Sequence, residues 1–389
     1  MGNNLKKNKK NSKKEFNEKA EENKEEKNGK KKVSKKKIQK LENDENLIKN
    51  NPGALVLEDE ISSGKINLEL LNKQYHSKEK DPIEEIMTHP KFKNSIIIGT
   101  KSGKIKLYSN ITDLNVINNE SILYDTKERI FSMILLKNNN DSIGIGLFDK
   151  ILILTFNKNE KLEKQQELKY SNIPLKEVNL LELDNSNLIS AGIPIIYWVK
   201  VNNKYNKTKY VIPNDKGARF INLVEFPEYN TILATQEKTH EIYFIKNNKE
   251  KIELIKTISN CPSIWYKGSA QKLSDFFLLL IGKFELNVID ANNGEVCNKY
   301  PGIDKGTLLN LTQSYEGNDI WIITDFHGKY FEFYLQEGND LIYLDIIELD
   351  EENEIKYNNK LVRIDNECFV AVNNHGEIFV FRVNIKDFK

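Results

Sequence analysis

Cysteine is almost missing from this chain. Cys261, Cys297 and Cys368 lie far apart, are odd in number and form no CxxC pair. That excludes a disulfide framework and a thiolate zinc knuckle, and it points to a reducing compartment. Long apolar runs are missing too. The longest, such as FFLLLIG at 276–282, fall far short of the ~20 residues a membrane-spanning helix requires. No apolar stretch follows the basic N-terminus, so no secretory leader is read there, and a soluble intracellular chain is expected. Signatures of chemistry are absent as well. No GxSxG elbow occurs. GIGLFDK (144–150) lies between strands instead of opening a helix, so it is not read as a phosphate loop. The acidic DEENE at 350–354 reads as a solvated loop. The expectation is a non-enzymatic protein with no cofactor, metal or small-molecule substrate.

What is present is enough apolar material for a core under a highly charged surface: 39% hydrophobic and 30% charged in 389 residues. Charge is unevenly placed. Residues 1–50 hold 17 Lys against nine acidic residues, +8 of a total of +1, which leaves −7 on the remainder. Within 1–50 there is one aromatic, Phe16, and almost no aliphatic residue before Leu41. Such a segment buries too little apolar area to offset its ordering entropy, so 1–50 is expected to be a disordered Lys-rich tail.

The body is periodic. SIIIGTKSGKIKLY (95–108) joins a continuous apolar run to an alternating one through a tight turn, and six further segments share that plan: 142–156, 188–201, 232–245, 276–290, 320–334 and 368–383. The turn residues Gly103, Asp149, Pro194, His240, Gly282, Gly328 and Gly376 are separated by 46, 45, 46, 42, 46 and 48 residues. A short apolar stretch precedes each hairpin (IWYKG at 264–268 in the fifth copy) and a looser strand follows it. Four short strands in about 45 residues is the period of a propeller blade. Seven copies predict an all-β, seven-bladed β-propeller over 64–383. The last copy ends soon after its third strand, which would leave a long unpaired edge. GKINLELLNKQYH (64–76) precedes the first copy and belongs to none. It is expected to pair with 377–383 as the closing outer strand of the last blade.

HPKFKNSIIIGTKSGKIKLY (89–108) resembles the WD40-repeat family, whose blades carry an HP…SGS-DG-IKLWD pattern, and the resemblance extends over the seven units. It implies a propeller that assembles other proteins. The family's Trp-Asp dipeptide is absent. Tyr108, Val201 and Tyr334 fall where the strand-ending aromatic would, with Trp198 the nearest approach, and the Asp-Gly turn survives only as Ser102-Gly103, His327-Gly328 and His375-Gly376. Stability is therefore expected to rest on apolar packing.

Three functional features follow. By the family's geometry, the turns between second and third strands share a face with the loops between blades. Those turns hold Lys101, Lys150, Lys238, Lys283 and Lys329, and the loops add Lys80, Lys127, Arg129, Lys176, Lys216 and Lys305. A basic rim of this kind steers towards phosphate backbones or acidic protein segments; the alternative is that abundant Lys simply occupies surface turns. Phe148 and Phe326 are the aromatics near these lysines. Second, KKKVSKKK supplies Lys30, Lys31, Lys32, Lys35, Lys36 and Lys37, which read as a nuclear localisation signal, an RNA contact or a solvated charge run. Third, Gly2 before basic residues suggests N-myristoylation, but Lys6 stands where that pattern takes Ser or Thr. The leading expectation is a scaffold for protein partners. An RNA-associated factor in the nucleus or nucleolus is the alternative, a lipid-tethered scaffold the second. His327 and His375, in equivalent turns, are read as turn residues instead of metal ligands.

Overall fold

The computed structural model describes residues 64–75, 81–113, 120–137, 139–169, 178–212, 217–237, 239–259, 267–282, 285–301, 306–325, 327–355, 360–373 and 375–386. These form seven four-stranded antiparallel sheets. No α-helix occurs among them, only a single 3-10 turn at Pro227–Tyr229. The tail 1–50, with its Lys-rich signal, and Gly2 lie outside the described residues.

Each sheet is one blade, and in blades 1 to 6 its strands are consecutive from the axis outwards. Blade 1 is Ile83–His89, Phe92–Thr100, Lys104–Tyr108 and Glu120–Asp125. Blades 2 to 6 repeat the plan, with inner strands at Ser132–Leu135, Asn179–Glu182, Phe220–Phe226, Ala270–Lys272 and Thr307–Tyr315. Blade 7 takes Lys360–Arg363, Cys368–Val372 and Glu377–Ile385 from the C-terminal side and Ile66–Tyr75 from the N-terminal side. That last pairing runs antiparallel from Ile66 opposite Ile385 to Tyr75 opposite Glu377. The inner strand of blade 1 touches those of blades 2 and 7, which closes the ring.

The core is divided into seven buried clusters, one between each pair of adjacent blades. This explains why second strands read as unbroken apolar runs. In blade 1, Ile96 and Ile98 pack against blade 7 while Ile97 packs against blade 2. Both faces of the strand are covered, so alternation disappears. Outer strands are covered on one side only; Leu162–Lys169 buries just Leu162 and Leu168 fully.

In blade 5 the inner strand among the described residues is Ala270–Lys272; of the stretch expected there, 264–266 lie outside the described residues and Lys267 and Gly268 form a turn. The pairing Ala270–Leu280, Gln271–Leu279, Lys272–Leu278 sets the register, and Gln271 Nε2 donates across the blade boundary to Leu308 O at 2.6 Å. The apolar criterion does not register a polar residue in that role. The same staple recurs elsewhere. Ser132 Oγ donates to Val178 O (2.6 Å), Asn179 Nδ2 to Phe220 O (2.6 Å), and Asn222 Oδ1 accepts from Gly268 N (2.8 Å). Apolar packing is therefore not the sole support. Trp198 Nε1 also donates to buried Ser190 Oγ at 2.8 Å.

A second regularity lies at the periphery. In all seven blades the pairing of third with fourth strand shifts register once inside the ladder. The extra outer-strand residue is Leu123, Gln165, Ile255, Cys297, Leu344 and Leu71 in blades 1, 2, 4, 5, 6 and 7. In blade 3, residues 208–210 stand against Tyr197. Such bulges add right-handed twist, and the N-terminal strand carries the same shift as the others.

The tight turns are equally constrained. Gly328 sits at φ +65°, and a Cβ there would lie 2.0 Å from Ile355 O; Ile355 N donates to Gly328 O at 3.0 Å. Gly103 repeats this in blade 1 at φ +93°, with Glu128 O 2.5 Å from its would-be Cβ. Gly328→Ala is expected to lower stability by about 1–3 kcal/mol, from strain and the clash together. A chemical melt of that variant checks this, and an unchanged midpoint would refute it.

Candidate functional site

The second-to-third-strand turns and the inter-blade loops share one end of the ring. Of the cations expected on that rim, Lys101, Lys127, Arg129, Lys150 and Lys329 are described. Lys80, Lys176, Lys216, Lys238, Lys283 and Lys305 lie outside the described residues, as does Phe326. Three of the five described cations are matched by carboxylates. Arg129 Nη2 is 2.9 Å from Glu84 Oε1, Lys150 bonds Glu128, and Lys329 Nζ is 2.7 Å from Glu348 Oε1. Hydrogen bonding to Glu348 pushes the Lys329 ammonium up to about 12, and the bond to Glu128 raises Lys150 in the same way. Lys101 and Lys127 are exposed and carry no ion pair among the described residues. Lys127 adopts φ +58°, with its amide held by Asp125 Oδ1 at 2.9 Å. The rim is thus charge-balanced over most of its described length.

Two features distinguish this end. The first is aromatic. Phe148, in the blade 2 turn, is 49% exposed. Its ring lies 6.4 Å from half-buried Phe131, just ahead of the blade 2 inner strand. The Arg129 guanidinium covers the Phe131 ring at 4.9 Å. Phe131 belonged to an apolar stretch read as inner strand, so only its position one residue before Ser132 makes it a surface group.

The second is a charge cluster at the axis. Glu85, on the blade 1 inner strand, keeps only 8% of its side chain in contact with water. Its Oε1 accepts from Lys267 Nζ at 2.5 Å and from Lys360 Nζ at 2.8 Å. Lys267 precedes the blade 5 inner strand, on the far side of the ring, and also donates to Phe131 O at 3.2 Å. Lys360 opens blade 7 and donates to Glu84 O as well. Three blades therefore meet at one carboxylate, and Lys267 ties in a fourth through the Phe131 carbonyl. Burial opposes the charge on Glu85, but the two ammoniums outweigh it and hold the carboxyl below the usual range. Lys267 is held below the usual lysine range, first by loss of water, then by Lys360. No sequence signal could have joined residues 182 and 275 positions apart.

His327 and His375 are exposed in equivalent turns, and no group of three or more His, Cys, Asp or Glu is placed to hold a metal among the described residues. Cys368 is buried between blades 7 and 1, and burial pushes its thiol up.

Comparison adds no relative. No family model matches the chain, and no curated protein matches its sequence.

Proposed function

We propose that this propeller is a non-enzymatic interaction scaffold of the WD40-like type, engaging protein partners through its loop-bearing face. The observation that carries this reading is exposed Phe148 beside half-buried Phe131, with Arg129 stacked on the latter. Interface hot spots are enriched in aromatic residues and arginine, because these bury large area at low entropic cost. The exposed part of the Phe148 ring adds little to the isolated chain. Among the described rim cations, Arg129, Lys150 and Lys329 already hold carboxylates, which leaves fewer of them for a phosphate backbone.

Phe148→Ser and Arg129→Ala variants of the full chain test the reading. Because both side chains are exposed, stability should stay within about 0.5 kcal/mol of the parent. Partners that co-purify in stoichiometric amount should be lost, as a hot spot is worth ~2 kcal/mol or more. Recovery of the same partners by both variants would count against this face.

A further inference from the structure

The axial cluster and the aromatic pair form one continuous surface: Phe148 meets Phe131, whose carbonyl is bonded by Lys267, whose carboxylate partner is shared with Lys360. Charge at its centre does not balance locally. Among the described residues, Glu84 holds Arg129, while Lys267 and Lys360 share the single carboxylate of Glu85, an excess of +1 at that point. Glu84 and Glu85 are the acids that act on Lys267, whereas Glu128 and Asp149 act on Lys150. Two ammoniums on one carboxylate oxygen repel each other, and the surplus is not sealed off: Lys267 keeps 35% and Lys360 25% of their side chains exposed. An incoming anion would convert a frustrated trio into two ion pairs in a region already poor in water, where such pairing is strong.

We infer that this mouth takes an acidic protein segment in which a carboxylate lies within a few residues of a bulky apolar side chain, the carboxylate meeting Lys267 and Lys360 and the apolar group covering Phe131 and Phe148. The inference rests on the scaffold reading above and names the partner's chemistry. A carboxylate suits the axial site better than a nucleic-acid strand, because the surplus there, among the described residues, is a single charge at one point, whereas a strand needs a row of unmatched cations.

A displayed library of random 12-residue peptides, selected on the full chain, tests this. The selected sequences should be enriched in Asp or Glu close to Leu, Phe or Trp. Replacing that acid with Asn or Gln should weaken the best peptide at least tenfold. Lys360→Met should do the same, and it leaves Glu85 and Lys267 as a balanced pair, so the fold should melt no earlier than the parent. Polyuridylate at the same ionic strength should not displace the peptide. Peptides that need Phe148 but show no acidic preference, or that bind Lys360→Met undiminished, would overturn the inference and leave the scaffold reading standing. Peptides indifferent to Phe148, Arg129 and Lys360 alike, or displaced by polyuridylate, would overturn both.

Discussion

Removing residues 1–76 should unfold the propeller, whereas removing 1–60 should leave it folded. The strand Ile66–Tyr75 is the only one of blade 7 supplied from the N-terminal side, and it covers Phe379, Phe381 and Val383 together with its own Ile66 and Leu71. Burial of Ile66 and Leu71 alone accounts for about 3–6 kcal/mol, set against a total stability of order 5–15 kcal/mol for a folded domain. The lost ladder also leaves the Glu377–Ile385 backbone unpaired beside an opened apolar surface. The loss is not local, because clusters of blade 6 with blade 7 and of blade 7 with blade 1 both include residues of this strand. A thermal melt followed by circular dichroism separates the two truncations. Equal midpoints would show that the ring does not depend on this strand.

Glu85→Ala should be the most damaging single substitution at the axis. It strands Lys267 and Lys360 beside each other with no carboxylate, and breaking a buried pair in this way costs about 3 kcal/mol, the low end of the usual range because both ammoniums keep some water. The triple variant with Met at 85, 267 and 360 should recover most of that loss, since it removes all three charges together. The cluster also gives a pH signature. The Glu85 carboxyl titrates lower in the folded chain than its ordinary value of 4.5. The unfolded chain therefore takes up the proton first, and stability falls as pH drops from the ordinary Glu range through the folded value. Glu85→Gln should flatten that part of the stability profile. A parent and variant with parallel acid limbs, or an alanine variant as stable as the parent, would sink this account.

What the sequence discloses here follows from where burial is symmetric. Segments such as SIIIGT are enclosed on both sides, so their unbroken apolar text and their spacing near 46 residues reveal blades. Closure was readable for a related reason: text ran out after Val383 while GKINLELLNKQYH stood unclaimed. Blade 5 resisted because Gln271 does its work through a hydrogen bond to the next blade, which hydropathy does not register. The rim cations were visible individually, but the pairing of Arg129, Lys150 and Lys329 with Glu84, Glu128 and Glu348 depends on how loops cross turns. The axial trio was out of reach, because neighbours across a ring share no local pattern. Lys267 came within bonding distance of Glu85 only once every blade between them had been placed.

The shifted register in each fourth strand has a further bearing on how the molecule meets others. A flat ring of seven ribbons would offer seven straight rows of backbone donors and acceptors, each a template on which another chain could zip and grow towards a fibril. One dislocation per ribbon breaks every row at mid-length. The circumference is thereby made a poor place to add strands, and the proposed recognition through the loop-bearing face would rest on side chains instead of backbone.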